Sequence, residues 1–172
     1  MTIRTGLIGL GMMGRNHARV LREIEGVELV AVADPSGDPN KVAAGLPLYE
    51  NIDQLIEHNL DAVICAVPTR FHYEVASKLA EAKIHTLIEK PIASTVTEAR
   101  ELVELFDKSG VVGTVGHIER FNPALQEMRR RLVDGQLGEI YQVSTRREGP
   151  FPARISDVGV VKDLATHDID LT

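Results

Sequence analysis

Three glycines and one acid carry the first chemical signal in this sequence. The glycines lie in Gly9-Leu10-Gly11-Met12-Met13-Gly14, and the acid is Asp34. In a Gly-x-Gly-x-x-Gly loop between a strand and a helix, the first glycine permits a tight turn. The second lets backbone approach a pyrophosphate, and the third lets helix and strand pack closely. The helix start adds free N–H groups and a positive dipole end, which suit phosphate. Met12 and Met13 pack around such a loop. Asp34 falls twenty residues after Gly14, where a carboxylate accepts hydrogen bonds from a ribose hydroxyl, each worth ~1.5–3 kcal/mol. The same carboxylate repels a 2′-phosphate. Pro35 and Ser36 follow it, with no arginine to cradle one. NAD is therefore expected in preference to NADP. Near the other end, Asp163 and His167 stand four residues apart. On a helix that spacing puts both on one face, and an imidazole is well suited to take a proton near neutral pH. Lys90 by itself reads as an ordinary solvated lysine.

The elements that must position these residues can be read from hydropathy. Short apolar runs at 3–8, 27–33, 62–67, 84–88 and 111–115 read as strands. The run 27–33 is continuous, as in a parallel sheet buried on both faces. Between the strands, 15–25, 51–58 and 71–82 carry helical patterns. A further helix is expected from a Ser94 N-cap through Lys108 to Gly110. This alternation implies right-handed crossovers and a doubly wound parallel α/β sheet of the Rossmann type. Past residue 118 the texture changes. A helix is expected at 121–133, an alternating strand at 138–147, then a Gly-Pro-Phe-Pro loop and a helix from about 160. The organisation expected is a dinucleotide-binding domain over 1–118 and the beginning of a second, open-sheet α/β domain over 119–172, cut short.

Composition sets limits on function. The chain has 172 residues, 44% of them apolar, and a net charge of −6. That supports a packed core and lacks the basic footprint of a nucleic-acid binder. Arg129-Arg130-Arg131 reads as a solvated helix face. Cys65 is the single cysteine and sits in an apolar strand, so it reads as buried rather than nucleophilic. No apolar run approaches the ~20 residues of a membrane span, and no signal peptide is apparent. A cytoplasmic protein is expected. No His/Cys/Asp/Glu set has metal-ligand spacing.

Further motifs follow the glycine loop in order. They are Ala66-Val67-Pro68-Thr69-Arg70-Phe71-His72-Tyr73-Glu74, Glu89-Lys90-Pro91, Gly116-His117-Ile118-Glu119-Arg120-Phe121-Asn122-Pro123 and Asp163-Leu164-Ala165-Thr166-His167-Asp168-Ile169-Asp170. The ordered set resembles the Gfo/Idh/MocA oxidoreductase family across essentially the whole chain. The resemblance implies a Rossmann domain followed by an α/β domain whose open sheet serves substrate sites and homo-oligomer interfaces. Family chains are considerably longer than this one.

The resemblance also implies roles. Lys90 would touch substrate and take part in proton transfer, and the Lys90–Pro91 peptide resembles one that is often cis. Asp163 and His167 would complete the catalytic set, with His167 as base. Pro68, Thr69, His72, Glu89 and Lys90 fall at cofactor-side positions, and Lys90, Arg120, Asn122 and His167 at positions for substrate. His72 reads equally as a helix-start hydrogen-bonding residue, and Asn122-Pro123 as an ordinary helix start. Asp168 and Asp170 read as packing or solvent residues, and His17 as structural. The chemistry implied is oxidation of a sugar or polyol hydroxyl with NAD. Gly116–Pro123 together with Gly149-Pro150-Phe151-Pro152-Ala153-Arg154-Ile155 and Asp157-Val158-Gly159-Val160 is similar to the branch acting on the 3-hydroxyl of UDP-N-acetylglucosamine or its uronic acid. Two alternatives stay open: an inositol or other sugar dehydrogenase, and a truncated NAD-binding module without turnover.

Overall fold

The computed structural model describes residues 2–146, 159 and 161–172. Two compact units divide the chain, Met1–Gly116 and His117–Thr172.

The first unit is built on a six-stranded sheet. Its strands are β1 (Ile3–Ile8), β2 (Val27–Ala33), β3 (Leu48–Tyr49), β4 (Ala62–Cys65), β5 (His85–Ile88) and β6 (Gly113–Val115), in the order β3-β2-β1-β4-β5-β6. Every pairing is parallel. The helices are α1 (Met12–Glu23), α2 (Ile52–Ile56), α3 (His72–Glu81) and α4 (Val96–Ser109). This is the doubly wound order expected of a dinucleotide fold. Its ligand crevice lies beyond the carboxyl ends of the strands, where the order reverses between β1 and β4.

Strand β2 shows why the apolar runs are continuous. Leu29 and Val32 pack with Ala18 and Leu21 of α1, whereas Ala31 and Ala33 pack with Leu55, Val63 and Leu79 on the other face. A third cluster joins Ala76 and Ala80 of α3 to Leu102 and Phe106 of α4. Removing each of the leucine, valine and phenylalanine side chains among them from water contributes roughly 1.5–3 kcal/mol. The clusters fix the strand ends from which the site loops spring.

Local differences from expectation have local causes. The cap of α4 is Thr95, not Ser94: Thr95 Oγ1 accepts from Glu98 N while Glu98 Oε2 accepts from Thr95 N. This reciprocal capping box selects the residue three before the glutamate. Helix α2 covers only Ile52–Ile56, and it starts at Ile52 because Asn51 caps it, accepting from Gln54 N. Strand β4 stops at Cys65, and the chain then turns through a 3₁₀ segment at Thr69–Phe71. Strand β3 has two residues, too few for a period to be read.

The second unit contains a 3₁₀ turn at Ile118–Phe121, α5 (Pro123–Val133), a π-helical turn at Val161–Ala165 and α6 (Thr166–Leu171). Pro123 opens α5 and Asn122 Oδ1 accepts from Ala124 N, so the helix begins two residues later than expected. Residues 138–146 alternate as a strand would but form none. A strand exists only by pairing, and among the described residues nothing pairs with this segment. Residue 147 and the Gly-Pro-Phe-Pro loop lie outside the described residues.

Candidate active site

The glycine loop joins β1 directly to α1. Gly9 has φ +88°, and a Cβ there would lie 2.5 Å from Ala66 O. A Cβ on Gly14 would lie 1.9 Å from Gly9 O, a collision no rotamer relieves. Gly11 is different: a Cβ there would meet nothing within 4 Å. Two glycines thus make the turn and the packing, and the third leaves its backbone open to a ligand. The first turn of α1 has neither an acidic side chain nor a side-chain cap. The N–H groups of the first turn, which include those of Met12, Met13 and Gly14, have no intrahelical acceptor. An open backbone, free N–H groups and a positive dipole end suit a pyrophosphate.

Asp34 ends the strand run beside this loop. Its Oδ2 accepts from Leu10 N at 2.8 Å and its Oδ1 from Ser36 N at 2.8 Å. Each oxygen keeps a lone pair for a ribose hydroxyl. The carboxylate therefore also ties the glycine loop to the end of β2. Asn40 Nδ2 donates to Leu10 O at 3.4 Å, and Asp38 accepts from Val42 N and Ala43 N, both at 2.7 Å. The segment following Asp34 is held against the loop through the Asn40 contact to Leu10.

Across the switch point, Pro68 starts the 3₁₀ turn, and Thr69 within it is buried. His72 is 1% exposed, with Nδ1 2.8 Å from Pro91 O and Nε2 2.9 Å from Val67 O. It joins the loop after β4 to the loop after β5, so the helix-start role is the one its contacts express. The Lys90–Pro91 peptide is cis. Glu89 is buried, with Oε1 accepting from His17 Nε2 at 2.6 Å and Oε2 from Lys90 N at 3.2 Å. Burial pushes this carboxyl upward. The His17 hydrogen bond and charge, then the Lys90 amide and ammonium, bring it below its ordinary value. Glu89 is thus an ionised, buried carboxylate. Cys65 is fully buried and its thiol is pushed up to about 12 by desolvation, which leaves it without nucleophilic character.

In the second unit, Asp163 on the π-helical turn is 7% exposed and His167 stands on α6. Arg120 grips Asp170: its Nε lies 2.9 Å from Oδ2 and its Nη2 2.5 Å from Oδ1. His117 Nδ1 is 3.5 Å from the same carboxylate. The Arg120 hydrogen bonds hold Asp170 below its ordinary value against its desolvation, and the charges of His117, Arg120 and His167 add to this. Asp170 is therefore an anchor rather than a solvent residue. Its spacing of three from His167 was the available signal. Asn122 caps α5 with Oδ1 and donates from Nδ2 to Glu119 Oε2 at 3.1 Å. His17, the partner of Glu89, gave no signal in the sequence beyond its type, and His117 stood in the Gly116–Pro123 motif without a role of its own. Among the described residues no group of three His, Cys, Asp or Glu could hold a metal ion. No helix among them is long and apolar enough to cross a membrane.

A parallel 3-2-1-4-5-6 sheet, an open glycine loop and an acid at the second strand define a dinucleotide-binding fold of the Rossmann type. The chain belongs to the GFO_IDH_MocA family, an oxidoreductase family with an NAD-binding Rossmann fold, whose model matches residues 3–117. It is 35% identical over 99% of its length to UDP-N-acetylglucosamine 3-dehydrogenase of Acidithiobacillus ferrooxidans, covering 53% of that protein. It is 31% identical over 98% of its length to the NAD-dependent scyllo-inositol 2-dehydrogenase of Bacillus subtilis, covering 52% of it. The WlbA dehydrogenase of Bordetella pertussis, solved with NADH and UDP-GlcNAcA, superposes with TM-score 0.75 at 28% identity, over 81% of this chain and 42% of that one. The chain spans about half the length of the curated relatives it matches.

Proposed function

We propose that the protein oxidises a hydroxyl of a nucleotide sugar with NAD, and that the hydroxyl is the 3-OH of UDP-N-acetylglucosamine or a close relative. The observation that carries the reading is the pairing of a dinucleotide seat with Lys90 at the end of β5, in a chain 35% identical to a UDP-N-acetylglucosamine 3-dehydrogenase.

The residue roles proposed are those that the family resemblance implies. Gly9, Gly11 and Gly14 form the phosphate turn, with Met12 and Met13 opening the helix behind it. Asp34 takes the ribose hydroxyls. Pro68, Thr69, His72 and Glu89 shape the cofactor side of the crevice. Lys90 donates a hydrogen bond to the reacting hydroxyl oxygen. His167 accepts its proton, and Asp163, four residues earlier, orients that imidazole. Arg120 and Asn122 serve the substrate side, Arg120 from its anchor on Asp170. NAD, when bound at the glycine loop and Asp34, would supply the acceptor for the carbon-bound hydrogen and its electron pair. The C–O bond becomes a ketone carbonyl, and the released proton leaves through His167. A homo-oligomer built through the second domain, and a cytoplasmic location, accompany this proposal.

A panel of initial rates tests it. The full gene product with NAD is expected to oxidise UDP-N-acetylglucosamine with a kcat/KM about a hundredfold above that for myo- or scyllo-inositol, a gap of ~2.7 kcal/mol. The reverse order would transfer the assignment to a cyclitol dehydrogenase, the second reading, which the B. subtilis relative favours.

A further inference from the structure

One part-buried hydrogen bond, between His17 and Glu89, links the helix of the phosphate seat to the residue before Lys90. His17 lies three residues beyond Gly14 on α1, the helix whose first turn is the phosphate seat. Glu89 immediately precedes Lys90. The carboxylate between them is 6% exposed and has His17 on one oxygen and the Lys90 amide on the other. Gly116, after β6, presents its bare α-carbon to the same carboxylate, and a Cβ there would stand 3.5 Å away. Water is thus replaced on three sides by protein.

We infer that His17 is a positioning residue for Lys90: through the Glu89 carboxylate it sets the lysine against the same helix that seats the dinucleotide phosphates. The inference rests on the proposed substrate-side role of Lys90. The geometry favours it over a simple staple. A staple between α1 and the end of β5 could use any residue of either element, yet this one uses the residue bonded to Lys90 and holds the second oxygen of the carboxylate that accepts from the Lys90 amide. The chain of contacts from Gly14 to Lys90 then passes through one helical turn, one charge-assisted hydrogen bond and one peptide.

Two substitutions separate the possibilities. His17→Gln keeps an N–H donor at reach of Glu89, and His17→Leu removes it at similar bulk. In the full gene product turning over UDP-N-acetylglucosamine, His17→Leu is expected to lower kcat at least about tenfold, with KM for NAD within about threefold of wild type. His17→Gln is expected to recover most of that loss. A staple alone would lower the melting temperature of His17→Leu and leave the kcat of folded enzyme unchanged, which would overturn the inference.

A second measurement does not depend on turnover. ADP-ribose fills the phosphate seat and lacks the nicotinamide. On its addition the Lys90 amide resonance is expected to move in wild type and His17→Gln, and to stay fixed in saturated His17→Leu. Equal movement in all three, or none in wild type, would overturn the inference. Full turnover by Lys90→Ala would instead remove the catalytic assignment of Lys90, while the amide shifts still decide the coupling.

Discussion

Asp34 illustrates how one side chain serves both fold and ligand. Its two oxygens already accept backbone N–H groups of Leu10 and Ser36, so it shapes the glycine loop before any ribose arrives. Asp34→Ala is expected to weaken NAD binding at least about tenfold, the equivalent of ~1.4 kcal/mol, and to narrow the preference over NADP. Titration calorimetry with each dinucleotide checks both. Gly14→Ala is the harsher change. Its methyl would stand 1.9 Å from Gly9 O, so NAD binding should be lost even if the chain remains folded by circular dichroism. These residues were legible because a tight turn and a close backbone approach are local demands that only glycine meets. The His17–Glu89 pair was not legible. Its members lie 72 residues apart, and neither residue's neighbours in sequence name the other. Asp170 was readable in part, since it follows His167 by three, but its partner Arg120 is 50 residues away.

At the scale of elements, sequence pattern served best where a helix or strand is specified by its own residues. The buried strands β1, β2 and β5 and the helices α1, α3 and α4 stand close to where hydropathy put them. The segment 138–146 shows the opposite case. Its alternation is a statement about two faces, and a face becomes a strand only beside another strand. Helix starts err by one to three residues, and at α4 the reason is that capping is a pairwise property: the box between Thr95 and Glu98 outranks the neighbouring serine. Thr95→Ala should cost ~1 kcal/mol of stability. It would appear as a lower denaturant midpoint with NAD affinity unchanged, since α4 carries no site residue. Loss of NAD affinity in that variant would mean that α4 supports the crevice more directly than its position suggests.

For the molecule as a whole, the buried Glu89 carboxylate makes acid stability a readout of the site. Its folded value lies below its ordinary 4.5. Its contribution is therefore complete above about pH 4.5 and is lost as the pH falls through the lower folded value. Glu89→Gln should flatten the stability profile on that acid limb, measured by urea unfolding from neutral to acid pH. An unchanged limb would place the acid sensitivity elsewhere. The same buried charge sits next to the residue on which the proposed chemistry turns. That chemistry, sugar oxidation with NAD as oxidant and Lys90 on the reacting hydroxyl, is tested most directly by one assay: appearance of reduced nicotinamide when the full gene product and its Lys90→Ala variant meet UDP-N-acetylglucosamine at saturating NAD. The expected result is turnover by wild type and a loss on the order of a hundredfold or more in the variant, with NAD affinity nearly unchanged. Equal rates in the two proteins, or loss of NAD binding in place of loss of rate, would contradict it.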